Sequence, residues 1–240
     1  MTVALMALAG FAAGFGLDAI IAKLAREPYE HPDIDESEPD GGPGALSLAS
    51  EHGALDLPGL LDGRSLYRTA AVMLATAGLF ALIGARYEGS DGLHLAIIAG
   101  YVAALIVCAS TDILAFRVPN VITYPGIVAA LALGMTMPDA SRLGVLSGGL
   151  LFGGLLLIPS LLARGMGMGD VKLAFFVGFA LGVVFVVPAM LYMAIGGGIA
   201  AVVLLVTRVR NRRDPIPYAP FIAGGALIVI LTQGVAFTGL

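Results

Sequence analysis

The sequence predicts an all-α polytopic membrane helix bundle of about eight transmembrane helices. Three observations carry that prediction. Apolar residues make up 58% of the 240-residue chain and charged residues only 12%, whereas soluble domains average about 45–50% and 25%. The apolar residues fall into runs long enough to cross a bilayer, which takes roughly 17–25 residues. The basic residues fall in the connections, and on alternate ones. A soluble domain of this length could not hide so much apolar surface, so an ordinary cytosolic enzyme is excluded. A nucleic-acid-binding protein is excluded too, because 13 scattered Lys and Arg form no basic stripe.

The runs are 2–24, 67–85, 93–113, 121–137, 143–163, 170–187, 189–207 and 218–238. The first lacks a basic leading region and is interrupted by Asp18, so it reads as a retained span, not a cleaved signal. The sixth and seventh are separated only by Val187-Pro188, with Pro188 as the expected break. With the N-terminus outside, the inner connections hold Lys23, Arg26, Arg64, Arg68, Arg117, Arg164, Lys172, Arg208, Arg210, Arg212 and Arg213. The outer ones hold only Arg86 and Arg142. By the positive-inside rule this supports both the number of spans and their direction.

The chain therefore divides into a first transmembrane helix (1–26), an acidic flexible cytoplasmic loop (27–66) and a seven-helix membrane core (67–240). Ten acidic and no basic residues lie between Glu27 and Gly63. The segment is rich in Pro and Gly and has no apolar periodicity, as expected of a tether. His31 and His52 lie in it without fixed spacing or nearby thiols, so they read as solvated and no metal site is expected. Cys108 is the only cysteine and lies inside an apolar run. It offers neither a disulfide nor a Cys cluster and reads as a small buried side chain.

Carboxylates in or beside apolar spans cost on the order of 3 kcal/mol each and need a reason. Asp112 closes the third span and Asp170 opens the sixth, with two spans between them. Both therefore emerge on one face, the cytoplasmic one by the charge count. Two carboxyls meeting in a low-dielectric site share a proton, which makes an acid and a base of identical groups. Such a pair can hydrolyse an amide without metal or covalent intermediate. Gly165, Gly167 and Gly169 allow close backbone approach to a substrate strand. Pro119 biases Val118 towards extended geometry after the Asp112 turn. The plainer reading makes Asp112–Arg117 and Asp170–Lys172 structural pairs at a membrane edge. Asp18 reads as an interhelical polar contact or a partner of Lys23, and Gly196-Gly197-Gly198 as a close-packing segment.

Asp112 with Arg117, Pro119, Asn120 and Thr123 resembles the first-aspartate motif of type IV prepilin peptidases. Gly167, Gly169, Asp170, Lys172 and Leu173 resemble their second, G-x-G-D-x-K-L. Ile216-Pro217-Tyr218-Ala219-Pro220-Phe221 is similar to the proline-rich motif opening the last span of that family, and residues 14–23 resemble the start of its first. The resemblance implies a membrane aspartic peptidase that removes short basic leaders from prepilin or pseudopilin substrates, serving type IV pili and protein secretion. Cleavage in the family follows a Gly and precedes a Phe-led apolar helix, at the cytoplasmic side of the bacterial inner membrane. Asp112 and Asp170 become the catalytic pair. Gly167, Gly169, Lys172, Arg117, Pro119, Asn120, Pro217 and Pro220 become residues that shape the site or bind substrate. No cofactor, metal or nucleic acid is implied.

Bifunctional members also carry two Cys-x-x-Cys pairs in the first cytoplasmic loop and a Glu near the start of the second span. Here the loop has no cysteine, and YRTAAVMLATAGLF offers no acid, so N-methyltransferase activity is not expected. Presenilin-like proteases also use G-x-G-D, but Thr111 precedes Asp112 and no Pro-Ala-Leu occurs. A proton-coupled transporter would use the aspartates as relays near the midplane, not at one face. A catalytically silent assembly factor would have no use for both aspartate motifs.

Overall fold

The computed structural model describes residues 1–26, 66–162, 167–207 and 217–236. The acidic loop, with His31 and His52, lies outside the described residues, as do Arg64, Arg164, Gly165, Arg208, Arg210, Arg212, Arg213 and Ile216. All regular structure among the described residues is helical. The helices are α1 (Thr2–Arg26), α2 (Leu66–Arg86), α3 (Gly92–Ala115), α4 (Asn120–Thr136), α5 (Arg142–Leu162), α6 (Met168–Val206) and α7 (Ala219–Thr232). Five are long and apolar enough to span a membrane, while α4 and α7 are shorter apolar helices. The chain is a multi-pass membrane protein.

The largest correction to the sequence reading concerns α6. Its 39 residues would run about 58 Å if straight, far beyond the roughly 30 Å hydrocarbon core. The chain breaks at Gly182, with φ 70° and ψ 171°, a conformation essentially reserved for glycine. Contacts on either side show that the break is a reversal. Along the first arm (168–181), Phe175 meets Gly153 and Phe179 meets Gly149, so this arm runs antiparallel to α5. Along the second arm (183–206), Ala189 meets Gly225 and Gly197 meets Phe221, so this arm runs antiparallel to α7. The Ala236 N–H reaches the Ala180 carbonyl at 3.4 Å, closing the far end. Two antiparallel arms keep the eight-segment arrangement, with the break six residues before the expected Pro188.

Pro188 lies inside the second arm, as Pro125 and Pro159 lie inside α4 and α5. Each removes one backbone bond, which neighbouring helices in a membrane tolerate. At Gly182, by contrast, the backbone conformation itself bars a side chain. The reversal also fits against α5, where a Cβ on Gly148 would fall 2.5 Å from the Gly182 carbonyl carbon.

The last span is shorter than the 218–238 expected. Gly234 (φ 129°) ends it, its N–H and that of Gln233 both donating to the Val229 carbonyl. The first arm of α6 is the central element, with Val171, Leu173, Ala174, Phe176 and Val177 all buried. Around it stand α4, α5 and α7. The α1–α2 hairpin packs beside α3, and Thr69 of α2 donates to Asp18 Oδ2 at 2.8 Å. Asp18 is thus an interhelical polar contact. At the far end, the Tyr87 hydroxyl donates to the Ile230 carbonyl at 2.7 Å, satisfying a last-turn acceptor of α7.

Candidate active site

Asp112 occupies the last turn of α3. The helix stops because Phe116 turns left-handed (φ 49°, ψ 42°), donating its N–H to the Asp112 carbonyl at 2.8 Å. It is the only non-glycine residue with positive φ among the described residues. Pro119 then caps α4 in an extended conformation, its carbonyl accepting from Ile122 and Thr123 at 3.1 Å. The ending of the Asp112 turn therefore belongs to Phe116, while Pro119 starts the next helix.

The Asp112 carboxyl is buried, and its Oδ2 accepts the Ala219 backbone N–H at 3.0 Å. Ala219 is the first residue of α7, where helix N–H groups have no intrahelical acceptor. An N-terminus of this kind favours an anion. Pro217 and Pro220 bracket this turn in sequence.

Asp170 is the third residue of α6, one turn from Gly167 at the cap. The two exchange hydrogen bonds: the Asp170 N–H donates to the Gly167 carbonyl at 3.1 Å, and the Gly167 N–H donates to the Asp170 carboxylate. This is the backbone-capping half of a capping box. The other oxygen, Oδ1, is buried and makes no hydrogen bond to the described protein. Buried carboxylate oxygens are almost always bonded, so this one stands out.

Both carboxyls face one cleft of about 580 Å³, within electrostatic reach of each other. Arg117, Pro119, Asn120, Gly167, Gly169 and Lys172 line the same cleft. Of the residues given a catalytic, site-shaping or substrate-binding role by the resemblance, Pro217 and Pro220 are not among those lining it. A Cβ on Gly169 would fall 2.9 Å from Val118 Cβ, so glycine is needed there for close approach. At Gly167 a Cβ would come no nearer than 3.8 Å to Asp170 Oδ2. Lys172 does not pair with Asp170. It donates to Asn120 Oδ1 at 3.0 Å and lies 4.7 Å from the Tyr124 ring centre.

Three contributors were invisible in sequence. The Ala219 N–H is a backbone group, although the two prolines mark a helix start that must leave such donors exposed. Phe116 gives no sign of its left-handed turn. Leu24, from the end of α1, also lines the cleft and carries no signal at all.

The sequence model of the type IV leader peptidase family matches residues 99–206, a stretch holding both aspartates and the G-x-G-D segment. Over this stretch the chain is similar to the type IV leader peptidase family. A prepilin leader peptidase/N-methyltransferase of Bacillus subtilis (strain 168) is 32% identical over 162 residues. That alignment covers 67% of this chain and 64% of the relative, so the chain matches somewhat under two thirds of the relative's length. No solved structure matches. The leader-peptidase segment ends with the last residue of α6, so the Ala219 donor and Leu24 come from helices outside it.

Proposed function

We propose that this protein is an aspartic endopeptidase of the bacterial inner membrane that removes short basic leaders from prepilin-like proteins. One observation supports it above the others: two buried carboxyls, distant in sequence and both inside the leader-peptidase segment, face one cleft. In the reaction, one carboxylate takes a proton from water as the water oxygen bonds to the scissile carbonyl carbon. The other carboxyl gives its proton to the carbonyl oxygen, forming a neutral gem-diol. Proton transfer to the amide nitrogen then breaks the C–N bond and releases leader and mature protein. Asp112 and Asp170 carry both transfers, and neither bonds covalently to substrate.

The charge asymmetry of the connections favours a cytoplasmic cleft and an external N-terminus. A basic leader on that side would meet ten carboxylates of residues 27–62. Methyl transfer is not part of the proposed activity, since those residues contain no cysteine and α2 no acid.

The test is cleavage of a synthetic Gly-Phe leader segment by the purified protein in micelles. Asp112→Asn and Asp170→Asn are each expected to lose activity while inserting normally, because an amide cannot cycle a proton but is cheaper to bury. Retention of more than roughly a tenth of the rate, a barrier change under about 1.4 kcal/mol, would overturn the dyad.

A further inference from the structure

Within the proposed reaction, Asp112 and Asp170 must stand at a fixed separation, yet they sit on different helices. Asp112 is held by the N-terminus of α7. Asp170 is held locally by Gly167, a contact that travels with α6 and fixes nothing relative to Asp112. The fixing contacts are those between the first turn of α6 and the segment that leaves Asp112. One is Gly169 against Val118, which sets how closely the two segments approach. The other is Lys172, whose ammonium donates to Asn120 and lies over the Tyr124 ring, both in the first turns of α4.

We propose that Lys172 is a positioning residue, bracing α6 against α4 through Asn120 so that Asp170 keeps its aim at the space shared with Asp112. The inference rests on the peptidase reading given above. Residues 170 and 172 lie about 200° apart around a helix axis. A bond made by Lys172 on one side therefore fixes the rotation that points Asp170 on the other. Two partners define that bond, an amide oxygen at 3.0 Å and an aromatic face at 4.7 Å. Asn120 is only eight residues from Asp112, along a connection stiffened by the Phe116 turn and Pro119. The brace thus links the two aspartate segments directly. Misplacing a reacting group by about 1 Å can cost a hundredfold in rate, so a surface hydrogen bond of small intrinsic strength has leverage here. The rival role, a charge contact to substrate, would act on binding and would not involve Asn120.

The experiment compares Lys172→Met, Asn120→Leu, the double variant and Asn120→Asp with the parent protein in lipid nanodiscs. Leader cleavage and hydrogen exchange of the 168–173 turn are both read. Each single variant is expected to lower kcat about tenfold with KM unchanged within twofold. The double variant is expected to be no slower than the worse single, since both remove one contact. Asn120→Asp, which keeps the acceptor, is expected to recover most of the rate. Exchange in the 168–173 turn is expected to quicken in Lys172→Met whether or not any leader is cut. A raised KM with unchanged kcat, or multiplied losses in the double variant, would overturn the brace. So would unchanged exchange. Absence of cleavage by the parent protein would instead overturn the peptidase reading and leave the exchange result to decide the brace.

Discussion

The Ala219 backbone N–H and the Asp112 carboxylate, 107 positions apart, are joined by a hydrogen bond of 3.0 Å. It docks the start of the last helix on the end of the third and leaves the carboxylate turned towards the cleft. The two ends of this bond differ in what they tolerate. An amide at position 112 still offers an oxygen to Ala219, whereas a hydrocarbon side chain strands the N–H in a buried place.

Asp112→Asn is therefore expected to unfold at the parent temperature in detergent while Asp112→Leu is destabilised by about 1–3 kcal/mol, the cost of an unsatisfied buried donor. Thermal unfolding followed by circular dichroism separates the two. Equal midpoints would show that the bond contributes nothing to docking α7.

Gly182 and Pro188 make the second prediction. Gly182→Ala forces a side chain into φ 70°, ψ 171°, at a cost of order 1–3 kcal/mol, with its Cβ also 3.2 Å from that of Ala236. Pro188→Ala restores a helical N–H and is expected to be neutral or stabilising. A proteolysis half-life shortened in the alanine variant at 182 and not at 188 would bear this out.

The third concerns the two glycines before Asp170. Gly169→Ala overpacks against Val118 and is expected to lose about 1–3 kcal/mol together with most activity. Adding Val118→Ala is expected to return part of both. Gly167→Ala has room and an ordinary φ of −73°, so it is expected to fold like the parent. Failure of Val118→Ala to rescue Gly169→Ala would mean that the crowding lies elsewhere.

The fourth concerns the ten carboxylates between Glu27 and Gly63. Replacing residues 28–62 by a short Gly/Ser linker is expected to leave kcat little changed and to raise KM for a basic leader. The increase is expected to fade as salt shortens the Debye length from about 10 Å at 0.1 M. A collapse of kcat in a correctly inserted deletion would show that the segment contributes to the site itself.

Much of this molecule is legible in its sequence, for definite reasons. A long apolar run has few alternatives to a membrane helix, so the helices from α1 to α5 lie within two residues of the expected spans. A carboxylate in such a run is costly enough to mark itself, which is why Asp112 and Asp170 stand out and meet at one cleft. What stayed hidden was of another kind. Gly182 is one of 33 glycines, and nothing in its neighbours announces a positive φ, while Pro188 is a conspicuous breaker that membrane packing absorbs. Lys172 lies so near Asp170 in sequence that pairing with it was a fair expectation. Its choice of Asn120 and Tyr124 depends on how α4 and α6 are turned towards each other. Ala219 acts through an amide that every residue but proline possesses.

The reversal at Gly182 also bears on the lipid around the protein. It leaves the first arm of α6 about 21 Å long, and α7 has a similar reach while α4 spans about 26 Å. By contrast α1 and α3, with 25 and 24 residues, extend about 36–38 Å. A bundle with helices of such unequal length is mismatched to a slab of uniform thickness. Long helices meet such a mismatch by tilting and short ones by thinning the bilayer or snorkelling their flanking residues, at a cost of fractions of a kcal/mol per Å. The first arm of α6 is enclosed by its neighbours, so of the short helices it is α4, with Val121, Tyr124 and Val128 exposed, and α7, whose first residue is the Ala219 donor, that meet the lipid. On the proposed peptidase reading, thinning beside those helices would shorten the path of headgroups and water to carboxyls that a full-thickness membrane would bury.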